Sequence, residues 1–365
     1  MPDDSHGNPS LPLFEAYPRL ATAVPWISLG HWPTPVLEAH AFAKAQRLRS
    51  LHIKREDLSH PHGAGNKVRG LEFLLADAER LGAKTIVTAS SVGSHHICKT
   101  AWHARQRGID TVAVVVPQPN ADYVARNLLL GASMGARYVP ANFITALPKV
   151  VYELLRPRNC FREQGPYWIA PGGTTPLSCL GHVNAAFELK QQIDAGDLPE
   201  PDYLFVAMGS LGTAVGLALG CALAGLQTQI VGVVVSYRWY ATRGRWARFA
   251  HRTLALIRKH DPSVPKVILD RSRMHVIGTA LGDGYALATS EGKRLSKEML
   301  DLEGIELDGT YTSKTLHGAM QFIAANALQD KSHLLWHTYH HIGKRGDLAD
   351  FAARLPHTIR HYISG

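Results

Sequence analysis

Short apolar runs alternate along the chain with stretches in which apolar positions recur every three or four residues. Thr85 to Ala89, Thr111 to Val116, Tyr167 to Ala170, Tyr203 to Met208, Ile230 to Val235 and Leu334 to His337 read as buried strands. Most are continuous apolar runs rather than alternating ones, which is the habit of parallel strands covered on both faces. Between them, Val68, Leu71, Leu75, Ala78 and Leu81 share one helical face, and Gly82 is placed to end that helix. Ile97, Ala101 and Ala104 repeat the pattern ahead of Gly108. The order predicts an α/β fold with a mainly parallel sheet. Linkers are poorly marked, and the stretch around Gly165 to Pro176 is the best candidate boundary.

Tyr203 to Leu226 is apolar enough to suggest a membrane span, but Gly209, Ser210, Gly212 and Thr213 interrupt it. It reads better as a buried strand, a tight loop and a buried helix. With 365 residues, 45% of them hydrophobic and 19% charged, the chain can bury a sizeable core and is not wholly disordered. The first ten residues are polar and lack the pattern of a secretory leader, so a soluble protein is expected. Cys98, Cys160, Cys179 and Cys221 are far apart and form no C-x-x-C pair. They read as small buried residues in a reducing cytoplasm rather than as a zinc site or disulfide framework.

The formal charge of +9 would suit an anionic partner. Tyr237 to His260 concentrates seven Lys or Arg with interleaved aromatics and no acid. No nucleic-acid recognition module accompanies the patch, so a solvated helix with one apolar face is expected, and no nucleic-acid partner.

Four loops carry unusual chemistry where an α/β sheet would place a ligand. In Gly63-Ala64-Gly65-Asn66-Lys67-Val68-Arg69, Asn66 is a plausible N-cap and Lys67 falls in the first turn of a long helix. The helix dipole disfavours an ammonium there, and burial would lower its pKa further. Such a lysine is a candidate for Schiff-base chemistry, against the plainer reading of a surface lysine at a helix start. Met208 to Thr213, between an apolar strand and an apolar helix, could cradle an anion on backbone N–H groups, or be only a tight connection. Ser90 to His96 opens a helix with hydroxyls and two imidazoles, suiting a substrate carboxylate. Gly309 to Lys314 and Trp336 to His341 make up the fourth. His337, His340 and His341 invite a zinc reading, yet no carboxylate or cysteine is fixed nearby, and among 20 histidines chance clusters are expected. No metal is expected.

Taken together, these loops resemble the fold type II pyridoxal-phosphate enzymes, and within them the group of 1-aminocyclopropane-1-carboxylate deaminase and D-cysteine desulfhydrase. Lys54 to Leu58 with Gly65 to Phe73 looks like that group's lysine signature. Pro171 to Leu177 resembles its Gly-Gly-Ser-Asn-Pro-Leu turn, and Met208 to Thr213 its phosphate loop. Tyr311-Thr312-Ser313-Lys314 is similar to its Tyr-Thr-Gly-Lys, and His337-Thr338 to its late His-Thr. The matches run in family order from about residue 30 to about residue 340.

The resemblance implies a two-domain, three-layer α/β architecture with mainly parallel sheets, like the tryptophan synthase β-subunit. Residues 1–80 and 181–365 would form a large cofactor-binding domain and 81–180 a smaller α/β domain. It implies pyridoxal 5′-phosphate as cofactor, carried by Lys67, which would also serve as the base at Cα. Asn66 and His95 would lie near the cofactor, and Gly209, Ser210, Gly212 and Thr213 would bind its phosphate. Thr338 would bond the pyridine nitrogen, Tyr311 would help in proton transfer, and Ser94 would bind the carboxylate or assist at Cα.

A small amino-acid substrate, a cytoplasmic homodimer and no membrane partner are implied as well. The implied reaction is lyase or deaminase chemistry: β-elimination from a D-cysteine-like substrate, or ring opening of an aminocyclopropane carboxylate, giving ammonia and a 2-oxo acid. Thr312, where the cyclopropane deaminases would place glutamate, leans towards elimination. Four departures bear on the substrate: His95 for an asparagine, Ala64 and Ser313 for glycines, and Tyr339-His340-His341 where Gly-Gly is usual. They leave open β-replacement, racemisation of a specialised amino acid, or cofactor binding without turnover.

Overall fold

A computed structural model of the chain describes residues 11–61, 65–155, 165–339 and 348–363. Among these residues ten strands form two sheets. The six-stranded sheet has the order β1-β2-β10-β7-β8-β9, with β1 (Val36–Glu38), β2 (Ser50–Arg55), β7 (Tyr203–Met208), β8 (Gln229–Val234), β9 (Met274–Ile277) and β10 (Ser332–His337). Only the edge pair β1–β2 is antiparallel. The four-stranded sheet has the order β5-β4-β3-β6 and is parallel throughout, from β3 (Thr85–Ser91), β4 (Asp110–Val116), β5 (Ala136–Pro140) and β6 (Tyr167–Ile169). This is the mixed α/β, mainly parallel architecture that the alternating pattern predicts.

All six runs read as strands are strands, with ends shifted by a residue or two. Four further strands carried a weaker pattern. β2 contains His52 and Lys54, and Lys54 is fully buried, so polarity masked a core strand. β5 contains Arg137 and ends at Pro140 on a sheet edge. β1 and β9 are short edge strands.

Seven helices position the site: α1 (Lys67–Arg80), α2 (His95–Gln106), α3 (Asp122–Ser133), α4 (Pro176–Asp194), α5 (Gly212–Leu223), α6 (Arg243–His260) and α7 (Thr312–Ala325). The apolar stretch that resembled a membrane span is β7, a loop and α5. Residues 212 to 221 of α5 are buried all round by the protein's own core. No helix among the described residues is long and apolar enough to cross a membrane. Gly216 brings α5 close to α4, since a Cβ there would lie 2.3 Å from His182 Cβ. On the other side of α4, a Cβ on Gly181 would lie 2.1 Å from the Arg69 carbonyl oxygen, so α4 also clasps α1.

The basic stretch is α6. Trp246, Ala250, Thr253, Leu254 and Ile257 are buried, while Arg243, Arg245, Arg248, Arg252 and Lys259 face outward. Cys98, Cys179 and Cys221 are buried free thiols, and Cys160 lies outside the described residues.

A buried ion cluster fixes the start of α1. The Arg69 guanidinium donates to Glu56 Oε1 and Oε2 (both 2.7 Å) and to both carboxylate oxygens of Glu188 (both 2.9 Å). Lys54 Nζ donates to Glu188 Oε1 and Gln192 Oε1, each at 2.5 Å, and to the Thr34 carbonyl at 2.7 Å. Every charge in this cluster therefore has an opposite partner and directed hydrogen bonds, the condition under which such a cluster is tolerated. The cluster ties β2, α1 and α4 together, and the Glu56 carbonyl accepts the Gly65 N–H just ahead of Lys67 (3.0 Å).

Candidate active site

The carboxyl ends of β3, β4, β6, β7, β8 and β10 all open on one cleft of about 570 Å³. Strand ends are where ligands bind in parallel α/β sheets, and the volume suits a cofactor with a small substrate. Lys67, Asn66, Ser94, His95, Gly209, Ser210, Gly212, Thr213, Tyr311 and Thr338 all line it. Residues scattered over more than two hundred positions of sequence thus line a single cleft.

Lys67 opens α1, and its Nζ donates to the Gly172 carbonyl at 3.0 Å. Burial lowers its pKa to about 8, because desolvation penalises the ammonium. Asn66 occupies the N-cap position, but its side chain does not cap the helix. Instead Asn66 Nδ2 donates to Thr213 Oγ1 at 2.7 Å, joining the lysine loop to the loop after β7. The Asn66 N–H also donates to the Thr338 carbonyl at 3.3 Å, so three of the predicted segments meet at this one asparagine.

Behind Lys67 lies His96, buried, with Nε2 3.2 Å from Thr88 Oγ1 and Nδ1 3.3 Å from Thr100 Oγ1. Burial first, and the Lys67 charge second, lower its pKa to about 3, so the ring stays neutral beside the amine. Gly172 and Gly173 both hold φ of +70° to make the turn that meets Lys67, a backbone that glycine adopts without strain.

The loop from Gly209 to Thr213 enters α5 with Leu211 at φ +76° and no side-chain cap. Thr174 Oγ1 donates to Ser210 Oγ at 2.7 Å. A Cβ on Gly212 would come within 3.0 Å of Thr174 Oγ1, so this approach of backbone to side chain needs glycine. An uncapped helix N-terminus with two hydroxyls on an open cleft is chemically suited to a phosphate.

On the opposite wall Ser94 caps α2, its Oγ accepting the His96 N–H at 3.2 Å and keeping its own hydroxyl proton to donate. His95 stacks on Tyr123 (5.1 Å between centroids) and meets Tyr311 and Tyr339 edge-on. Asn127 Nδ2 is a donor 3.1 Å from His95 Nδ1, which assigns the neutral ring's proton to Nε2. Tyr311 Oη lies 2.8 Å from Tyr285 Oη, which lies 3.4 Å from Ser91 Oγ, giving a chain of three hydroxyls at the cleft. Burial pushes the Tyr311 phenol well above its ordinary pKa, so it holds its proton.

Several of these partners carried no sequence signal. Tyr285 lies outside every motif, and Thr174, though inside the Pro171–Leu177 turn, had no role assigned to it. Asp308 is an anchor rather than a lining residue. Its carboxylate accepts the backbone N–H groups of Thr310 (3.0 Å), Tyr311 (2.9 Å) and Thr312 (2.9 Å) at the start of α7. Thr312 Oγ1 donates to the same carboxylate at 2.8 Å and does not line the cleft, which removes the argument for elimination drawn from it. Lys314 is structural, donating to the carbonyls of Leu281 (2.7 Å) and Gly284 (2.6 Å) and so fixing the loop that carries Tyr285. Ser313 is buried against Gly292, away from the cleft. Ala64, His340 and His341 lie outside the described residues. Among the described residues no cluster of three His, Cys, Asp or Glu could hold a metal ion.

The pattern of the family described as "Pyridoxal-phosphate dependent enzyme" matches residues 27–338 of the chain. A protein of Thermotoga maritima named "Putative 1-aminocyclopropane-1-carboxylate deaminase" is 29% identical over 86% of this chain and 95% of its own length. A protein of the same name from Pyrococcus abyssi is 30% identical over 82% and 87%. The nocardicin C-9′ epimerase of Nocardia uniformis is 32% identical over 80% and 86%. Among solved structures, one titled as an ACC deaminase homologue superposes with a TM-score of 0.73 at 26% identity, covering 93% of this chain and 98% of the other. A fungal L-serine ammonia-lyase from Rhizomucor miehei shares the fold, with a TM-score of 0.59 at 16% identity over 90% and 99%.

Proposed function

The chain belongs to the pyridoxal-phosphate-dependent enzymes, and from that premise we propose that it is an amino-acid lyase or deaminase releasing ammonia and a 2-oxo acid. The observation that carries this reading is the pairing, across one cleft, of a depressed-pKa amine on Lys67 with the hydroxyl chain Tyr311–Tyr285–Ser91. One group can take a proton from Cα while the other, kept protonated, gives one to a departing β-substituent.

The chain's own groups suit the cofactor. Lys67 would be the attachment point, and Gly209 to Thr213 at the head of α5 would hold the phosphate. Thr338 would hold the ring nitrogen and, being a hydroxyl rather than a carboxylate, would not enforce its protonation. His95 would offer the Nε2 proton to the ring's phenolic oxygen. When bound, the cofactor supplies a conjugated sink for the electron pair left at Cα. The protein's part is then positional. Ser94 and the N-terminus of α2 hold the substrate carboxylate, which orients the Cα–H bond towards Lys67. Lys67 takes that proton. Tyr311, oriented by Tyr285, delivers one to the leaving group, and water completes release of ammonia and the 2-oxo acid.

The likeness to the nocardicin epimerase favours a second reading. The same two proton carriers, acting on opposite sides of Cα without a leaving group, would invert an amino-acid centre. A screen of both enantiomers of cysteine and serine, with aminocyclopropane carboxylate, separates the two. Keto acid and ammonia are expected, and their absence alongside solvent deuterium at Cα and inverted optical rotation would replace the lyase by the epimerase. Lys67→Ala is expected to lose the visible absorbance of the lysine-bound cofactor. Retention of that band would refute Lys67 as the attachment point.

A further inference from the structure

Lys99 stands apart from every role assigned so far. It sits in α2, one turn after His95, lines the cleft and is only 3% exposed. Its Nζ makes no hydrogen bond among the described residues. Helical side chains lean towards the helix N-terminus, so this amine is carried back towards the first turn of α2, where Ser94 and His95 face the cleft. Among the described residues, the one charged side chain that bears on it besides the Cys98 thiol is another cation, Arg126 of α3, whose Nη2 donates to the cleft-lining Tyr339 Oη at 3.3 Å. No described carboxylate is paired with Lys99. Burial, reinforced by Arg126 and opposed by Cys98, lowers its pKa to about 7.

A buried amine without a partner is costly to keep, and a binding cleft is where such a group persists because a ligand completes it. The anions required by the function above already have hosts. The cofactor phosphate is served by the head of α5, and the substrate carboxylate by Ser94 and the head of α2. Lys99 is a cation left over on that second wall.

We propose that Lys99 receives a second anionic group on the substrate, so that the enzyme acts on an amino acid with an acidic side chain. The inference rests on the amino-acid reading of the cleft. It identifies a substrate class distinct from the neutral cysteine-like and cyclopropane substrates that the family resemblance suggests. A side-chain carboxylate would take charge-assisted hydrogen bonds from Lys99 inside a poorly hydrated wall, where they are stronger than in water.

The test uses isosteric pairs on the holoenzyme, aspartate against asparagine and glutamate against glutamine in both enantiomers, titrated through the visible absorbance of the bound cofactor. The acidic member of at least one pair is expected to bind at least about tenfold tighter, the range of one charge-assisted hydrogen bond. Lys99→Gln is expected to reduce that ratio about ten- to a hundredfold, and Lys99→Arg to restore much of it. Equal weakening of both members by Lys99→Gln, or a wild-type preference for the neutral members, would overturn the proposal.

If no amino acid perturbs the spectrum, the amino-acid reading fails by itself. Lys99 is then decided by a second measurement, the thermal protection of holoenzyme by succinate against succinamate. Greater protection by succinate that disappears in Lys99→Gln supports the anion site, and equal protection refutes it.

Discussion

Lys67 owes its chemistry to its surroundings more than to its own type. The first turn of a helix, the Gly172 carbonyl and the neutral His96 ring leave the amine without a carboxylate to hold its proton. With a pKa near 8, the fraction of free amine rises through neutrality and levels off above that value. The free amine is the nucleophile, so capture of pyridoxal phosphate by apoprotein should accelerate as pH rises and plateau above about 8, as followed by stopped-flow absorbance. A rate that fell over this range would show that the amine is not the titrating group. Tyr311 and Tyr285 form a second pair with a directional dependence. Tyr311→Phe should lower kcat by about 10²- to 10⁴-fold, the range for loss of a general acid. Tyr285→Phe should lower it less, because it removes the orienting hydroxyl and leaves the donor, and KM should change less than kcat in both. The sequence marked Lys67 and Tyr311 through motif and position. Tyr285 was invisible because its partner lies on another element, brought there by the Lys314 bonds to the loop before it.

Elements hold these residues in register through groups that never touch a substrate. Asp308 satisfies three orphan N–H groups at the head of α7 and thereby sets the direction of Tyr311. Asp308→Ala should cost about 1–2 kcal/mol of stability by loss of the cap, read as a lower denaturant midpoint, and should depress kcat along with it. The cluster of Arg69, Lys54, Glu56 and Glu188 does the same for α1. Removing one charge from a buried, mutually paired set typically costs about 3–5 kcal/mol, the expectation for Glu188→Gln. Its pH signature has a definite sign. Arg69 and Lys54 outweigh burial and hold the Glu188 carboxyl down at about 2. Its stabilisation is therefore complete above the ordinary carboxylate pKa and is lost as pH falls from there towards about 2. Unfolding midpoints should drop across that acid window in the wild type and drop less steeply in Glu188→Gln. The same cluster explains an element that the sequence pattern did not reveal. β2 carries Lys54 in a core position, and a buried lysine looks like a surface residue until its partners on α4 are known. Periodicity reports which side chains avoid water and is blind to charges that are compensated across elements.

At the scale of the whole molecule, the cleft exists because two parallel sheets present strand ends to one another. β3, β4 and β6 contribute Ser90, Ser91, Val116 and the Gly172 turn from one side, and β7, β8 and β10 contribute Gly209, Ser236 and Thr338 from the other. The α/β class was legible because buried parallel strands leave continuous apolar runs. More than one sheet was expected only through the family resemblance, since no local pattern says which strand pairs with which. Across the cleft, direct ties such as Lys67 to Gly172 and Thr174 to Ser210 are few beside the ladders within each sheet. Pyridoxal phosphate, bound to Lys67 and to the head of α5 while contacting His95 on α2, would add a bridge between the two sides. Any ligand specific to the folded state raises stability by mass action, so holoenzyme should melt above apoprotein by an amount that grows with free cofactor. Hydrogen exchange should localise the gain. Cofactor removal should speed exchange at the first turns of α2 and α5 and leave the central strands β4 and β7 unchanged, because their ladders lie within single sheets. Uniform acceleration across both sheets would instead mean that the cofactor stabilises the fold as one unit, and that the cleft is not its weakest seam.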